Sequence, residues 1–371
     1  MRVNKKLLSS LFSLLFVQSI ATALSITPTS ADRGASRYVI ENPLPLADQT
    51  HEVVRVAKTN VILISQMSNS VLLKATVDDH GLIKDISAFQ LGQSTSALHG
   101  LALSKKYPGF VWVTLQKDNK LVLLDPIVNS ITAAPEVQKE IDVPTPGLGP
   151  HYVGEYGDEL WSTLQDSSHV LRINYNDPSN YTIYKGLDRP IFIAQHPDNG
   201  KFYTGEDNDD KIMKIDPVAN TTTQLSILES AGTTPVGLIA GPPGLGIWFT
   251  LLGNATQGTG TIGNLHADDT ITYHTLSSSS WSKKASLLHL AFDPEAETNY
   301  TLWLLASSIV KSDALDMIIK VTFDAGWTKI VSEDIVVTPT QLNKAHRILI
   351  TPTNVFATEL ASSKLVSYYT L

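Results

Sequence analysis

The 371-residue chain contains no cysteine. No disulfide can brace it, and no thiolate can serve as nucleophile or metal ligand. Charge is scarce as well: 17% of residues are charged, the net charge is −8, and no long basic run follows the N-terminus. Phosphate recognition needs a basic footprint, so a nucleic-acid partner is excluded. Beyond the N-terminus no segment is apolar for long enough to span a bilayer. Long amphipathic helical stretches are missing, and no G-x-S-x-G, HExxH or CxxC motif occurs. What fills the chain instead is 43% hydrophobic residues in short alternating runs rich in Val, Ile, Leu, Tyr and Trp, bounded by Gly, Pro, Asn and Asp. These are strand signals. Val331 to Val337 has the pattern of either element, and its β-branched content favours strand.

The N-terminus reads as a secretory signal. Arg2, Lys5 and Lys6 precede a mostly apolar Leu7–Ile20 stretch, and Ala21-Thr22-Ala23 is an A-x-A cleavage site. A signal peptide is expected over 1–23 and a flexible leader over 24–35, which makes the mature protein secreted and free of the membrane. Four N-x-S/T sequons, at Asn180, Asn220, Asn254 and Asn299, are expected glycosylation sites consistent with export.

Between His51 and Glu359 one cadence recurs seven times: a short apolar run often opened by histidine, a turn, a strand centred on a bulky residue, a polar loop, and a third strand. The second-strand anchors are Ile62, Trp112, Trp161, Tyr203, Trp248, Trp303 and Phe356. Their spacing of about 42 to 55 residues is that of β-propeller blades. An all-β, seven-bladed propeller over 36–371 is therefore expected, with blades near 48–91, 96–143, 148–186, 188–228, 233–276, 285–337 and 343–371. The last copy stops at its third strand, while Ser36–Ile40 is strand-like and belongs to no copy. That N-terminal piece is expected to supply the outer strand of blade seven, closing the ring and removing free strand edges.

Adjacent antiparallel strands place the start of the first strand and the end of the second at one end of a blade. The first-strand positions are His51, His99, His151, Ile191, Val236, His289 and His346; polar second-strand ends are Gln66, Gln116, Gln165, Glu206 and Glu359. Both sets should ring the mouth of the central channel. Histidine titrates near neutrality and a carboxylate can support it, so His346 with Glu359 is the expected catalytic pair, with His99 and His151 as further acid/base candidates. His51, His289, Gln66, Gln116, Gln165 and Glu206 are expected to bind substrate. The acidic loop Gly205–Lys211 has oxygen ligands for a hard cation but reads better as a solvated turn, and Gly241–Gly246 reads as a turn between strands.

Thr234-Pro-Val-Gly-Leu-Ile-Ala-Gly241, followed by Gly246-Ile-Trp-Phe-Thr250 and Thr261-Ile-Gly263, resembles the blade signature of the virginiamycin B lyase (streptogramin lyase) family. Pro150-His151, Arg189-Pro190 and Leu98-His99-Gly100-Leu101 are similar to its P-H-G-I blade starts. The resemblance implies a seven-bladed propeller that opens a cyclic depsipeptide by elimination. It also implies a histidine base and a Mg²⁺ held by two glutamates, one ending a second strand and one lying two residues before the catalytic histidine. Glu359 and Glu206 match the former position. At the latter stand Gln49, Ala97, Gly149, Leu287 and Lys344, so no metal ligand is assigned and the cofactor stays open. Three readings follow: a secreted lyase-like enzyme acting on a small or macrocyclic metabolite, a cyclase or pericyclase of secondary metabolism, or a non-catalytic propeller that binds a ligand or partner. A monomer is expected.

Overall fold

The second strand of each repeat is buried along its length, as in Val61–Gln66, Val111–Leu115 and Thr301–Ala306. A strand covered on both faces needs a sheet packed on either side. The computed structural model, which describes residues 38–186, 188–207 and 210–370, meets that need with seven four-stranded antiparallel sheets around a ring. The first strands of successive sheets adjoin one another, and the first strand of blade one lies against that of blade seven. The expected signal and leader, 1–35, lie outside the described residues.

Alternation sets which neighbour each side chain meets. In blade one, Leu63 joins the cluster of Leu98, Val111 and Val113 from blade two, while Ile62 and Ile64 join Phe356 and Leu365 from blade seven. The seven anchors are all buried at this inter-blade level. Trp161 stacks on Phe202 of the next blade, with ring centroids 3.7 Å apart. Trp248 and Trp303 give their indole N–H groups to the Leu245 carbonyl (2.8 Å) and Asp293 (3.0 Å). Large rings fill the wedge that opens between twisted sheets, which is why aromatics recur there.

Blade seven is built as expected. Val39–Pro43 pairs antiparallel with Lys364–Tyr369 as its outer strand, joining Asn354–Glu359 and the innermost Ala345–Ile350. Buried Asn42 locks this closure: its amide donates to the Gly81 carbonyl (3.1 Å) and accepts from the Ile83 N–H (3.0 Å), both in blade one. Ile330–Val337 is a strand. Gly241–Gly246 is a turn closed by a Gly241 N–H bond to the Gly246 carbonyl at 2.8 Å. Asn208 and Asp209 of the acidic loop lie outside the described residues. No described helix is long and apolar enough to cross a membrane.

Candidate functional site at the channel mouth

Every innermost strand carries an irregularity near its start. Thr50 pairs with Gln66 and Val53 with Ile64, so two residues, His51 and Glu52, bulge opposite Ser65 alone. The same step occurs in the other six blades. A β-bulge adds one residue to one strand and re-aims side chains. Here it produces two successive layers in the channel.

The upper layer is split by chemistry. His346, His51, His99 and His151 stand side by side on blades seven, one, two and three, and Ile191, Val236 and Leu288 complete the circle on blades four to six. Neighbouring imidazole centroids are 3.9, 3.8 and 3.9 Å apart along the arc. These seven side chains line a cavity of about 350 Å³ with Gln116 and Gln165 on its rim. The Gln116 amide donates to Gln165 at 3.2 Å.

The register corrects three expectations. In blade six the mouth position is Leu288, because Leu287 pairs with Ala306 and His289 with Leu305. His289 therefore belongs to the layer below, against Phe192 at 5.2 Å. Gln66 pairs with Thr50 as Leu115 pairs with Leu98, so Gln66 is the counterpart of Leu115 and not of Gln116. Its amide turns away to the Pro45 carbonyl. Glu206 and Glu359 occupy that same strand position, opposite Pro190 and Ala345, and neither lines the cavity.

The expected His346–Glu359 pair is not brought together. Glu359 accepts from the Asn343 amide (2.8 Å) and the Ser362 hydroxyl. Burial pushes its carboxyl up to about 7, against the Ser362 bond and with help from nearby Glu41. The imidazoles are shifted the other way. Burial, their mutual proximity and the Arg347 guanidinium hold His51, His151 and His346 well below the ordinary histidine range, and burial followed by Arg347 brings His99 down to about 3. All four are neutral at physiological pH, and their buried Nδ1 atoms lack hydrogen-bond partners.

Two features escaped the sequence reading. The first is a hydroxyl one residue before the end of the second strand. Ser65, Thr114 and Thr358 each accept an N–H from their own innermost strand and donate to a histidine carbonyl of the next blade: His99 (2.7 Å), His151 (3.3 Å) and His51 (2.7 Å). Thr163 and Thr250 do the same for Ile191 and Leu288. The recurring Ser/Thr at this register was a readable signal. The second is Arg347 in the lower layer. Its Nε donates to Glu52 at 3.0 Å, its Nη1 to the His346 carbonyl at 3.2 Å, and its guanidinium lies 4.3 Å over the Phe192 ring from blade four. Arg347 thus crosses the channel and floors the cavity. Its sequence signal was a charged residue directly after an arc histidine, Glu52 after His51 and Arg347 after His346.

Among the described residues no group of three or more His, Asp or Glu is placed to hold a metal ion. A two-glutamate Mg²⁺ site does not fit this mouth, since neither Glu206 nor Glu359 lines it. The sequon residues Asn180, Asn220 and Asn254 are exposed; Asn299 is half-buried, its Nδ2 donating to Asp293 at 2.9 Å.

The fold and mouth define a seven-bladed β-propeller with a cup, part histidine and part aliphatic, at one end of its channel. No family model and no curated protein matches the sequence. Among solved structures, virginiamycin B lyase from Staphylococcus aureus is similar, with TM-score 0.68, 16% identity, and coverage of 91% of this chain and all of that one. A catalytically inactive histidine-to-alanine variant of the Staphylococcus aureus lyase, solved with quinupristin, is similar at TM-score 0.66 and 17% identity, covering 91% of this chain and 100% of that one. YCF48 bound to a D1 peptide is similar at TM-score 0.60 and 13% identity, covering 90% of this chain and 95% of that one. At such identities the likeness is one of fold, shared by propellers with different tasks.

Proposed function

We propose that the cup binds a small amphipathic organic molecule, held by hydrogen bonds on one side and by apolar contact on the other. The observation that carries this reading is the split upper layer: four buried, neutral imidazoles and an aliphatic wall of Ile191, Val236 and Leu288 line one cavity together with Arg347. A neutral imidazole donates from one ring nitrogen and accepts at the other, so the arc suits a ligand hydroxyl or amide. Small-molecule sites combine these ingredients, mostly apolar walls and a few converging polar groups.

Lyase-like chemistry in the same cup is the second reading, favoured by the similarity to streptogramin lyases, one of which loses activity on replacement of a histidine. Imidazoles held so far below neutrality are weak bases, however, and the carboxylate that lines the cup among the described residues, Asp207, faces Arg189. The geometry favours binding and polarisation, as in the cyclase alternative, over proton abstraction. Export of the chain is part of the proposal; three exposed sequon asparagines support it, and a glycosidase-sensitive mass shift of the secreted protein tests it.

A matched pair of probes tests the cup. 2-Naphthol, a flat apolar body with one hydroxyl, is expected to quench or shift fluorescence saturably, and naphthalene to bind about tenfold more weakly, the value of one buried hydrogen bond. Saturable binding by neither probe would overturn the cup; equal binding by both would remove the imidazoles from recognition.

A further inference from the structure

Beneath the imidazoles the cavity ends on a charged side chain, and the two members of its ion pair are not equally presented. Arg347 lines the cavity whereas Glu52 does not. Of the pair, only Arg347 borders the open volume, with its side chain almost fully buried and that of Glu52 about 10% exposed. Its Nε bond to Glu52 and its Nη1 bond to the His346 carbonyl use two of the five guanidinium N–H groups. Packing on Phe192 holds the plane in place, so the remaining donors are preorganised. The other charged groups near the cup do not compete: Asp207 at the rim faces Arg189, Nε to Oδ2 3.5 Å, and Glu206 and Glu359 lie off the cavity lining. Consistent with a positive floor, Arg347 is among the causes that depress His51, His99, His151, His289 and His346, whereas Glu52 relieves none of them.

We infer that the cup's ligand is an organic anion, a carboxylate or a group of like geometry on an apolar body, anchored on Arg347 between the histidine arc and the Ile191–Val236–Leu288 wall. A planar carboxylate can accept two parallel guanidinium N–H bonds, an arrangement stronger and more directional than a single neutral bond. The four neutral imidazoles then serve as donors or acceptors to the rest of the molecule without adding charge, and the aliphatic wall covers the body. Glu52 acts as the internal competitor that holds the guanidinium when the cup is empty.

This inference rests on the cup being a ligand site, and the probes share the scaffold used for that reading so that the two can fail separately. 2-Naphthoate and 2-naphthamide, nearly equal in shape, are titrated by calorimetry against the full chain. 2-Naphthoate is expected to bind at least tenfold more tightly than 2-naphthamide. In Glu52→Gln, which keeps a carbonyl toward Arg347 while removing the competing charge, 2-naphthoate should tighten by about a further tenfold and 2-naphthamide change less than twofold. Arg347→Gln should bring the two probes to equal affinity. Should that variant fail to fold, the Glu52→Gln comparison decides alone. Equal affinities in the parent chain, or no gain for 2-naphthoate in Glu52→Gln, overturn the anion inference and leave the cup intact if 2-naphthol binds. No binding by any of the three overturns both.

Discussion

Acidification should unfold this propeller through its histidines, and the size of the effect follows from the cup. His51, His99, His151, His289 and His346 all have folded-state values below the ordinary 6.5, chiefly because burial disfavours the charged ring. The unfolded chain binds protons at these rings as pH falls through 6.5, and the folded chain does not, so stability drops with falling pH. Between about pH 7.5 and 5.5 each ring contributes on the order of 1 kcal/mol of loss, several kcal/mol for the five together. Glu359 acts oppositely: its value near 7 lies above the ordinary 4.5, so its contribution is complete below 4.5 and fades as pH rises through 7. It returns about 2 kcal/mol over the same interval, and Glu52, also raised by burial, acts in the same direction. The net expectation is a loss of a few kcal/mol, a large part of the stability of an ordinary domain. Urea denaturation at the two pH values, with the slope of the transition unchanged, measures it. His99→Gln removes one titrating ring and should shrink the difference by about 1 kcal/mol. A protein equally stable at both pH values, or more stable at pH 5.5, would refute the assignment of neutral buried imidazoles.

Three further outcomes are expected. Thr358→Val keeps the shape but strands the His51 carbonyl and the Arg347 N–H, bonded now at 2.7 and 3.1 Å; about 2–3 kcal/mol should be lost in a urea melt, against nearly none if the hydroxyl is incidental. Gly100→Ala places a Cβ 2.6 Å from the His151 carbonyl oxygen, so thermal unfolding should show about 1–3 kcal/mol of destabilisation from overpacking between blades two and three. Lys74 is buried, its ammonium donating to the carbonyls of Pro126, Ile127, Ser130 and Ala133. Lys74→Met should cost about 3 kcal/mol and open the 126–133 loop to limited proteolysis, while unchanged cleavage would show that the loop holds itself.

The ring was legible because propeller spacing is a long-range property that tolerates local error. Seven anchors at blade spacing survive a one-residue misplacement, and the closing strand followed from counting. The site did not tolerate such error. The bulge at the start of each innermost strand puts two residues opposite one, so alternation counted from sequence slips by one position exactly where the mouth is built. Blade six carries its histidine one position later than the arc does, so Leu288 stands at the mouth, and Gln66 lies one position before the register of Gln116. Glu359 was placed at the correct end of its strand, but a strand end has two faces, and its carboxylate lies on the one that meets Asn343 and Ser362.

The two layers explain each other through one missing hydroxyl. Around the histidine arc, the carbonyls of His51, His99 and His151 are each held by the Ser or Thr of the preceding blade. The preceding blade for His346 is blade six, and there the equivalent residue is Leu305, which pairs with His289. A leucine donates nothing, so the His346 carbonyl would be left buried and unpaired. Arg347 Nη1 takes it instead, and reaching that carbonyl while bonding Glu52 swings the guanidinium across the channel onto Phe192. The hydroxyl pattern breaks twice, at Gly205 in blade four and Leu305 in blade six, and only the second precedes a histidine of the arc, where Arg347 takes the carbonyl. A side chain that compensates for a lost inter-blade bond also closes the channel and places a fixed positive group beneath four neutral imidazoles. Structural repair and the inferred anchoring of an anion therefore fall on the same residue, and the Glu52→Gln titration separates them, because it leaves the His346 bond in place while changing only the charge that an incoming anion must displace.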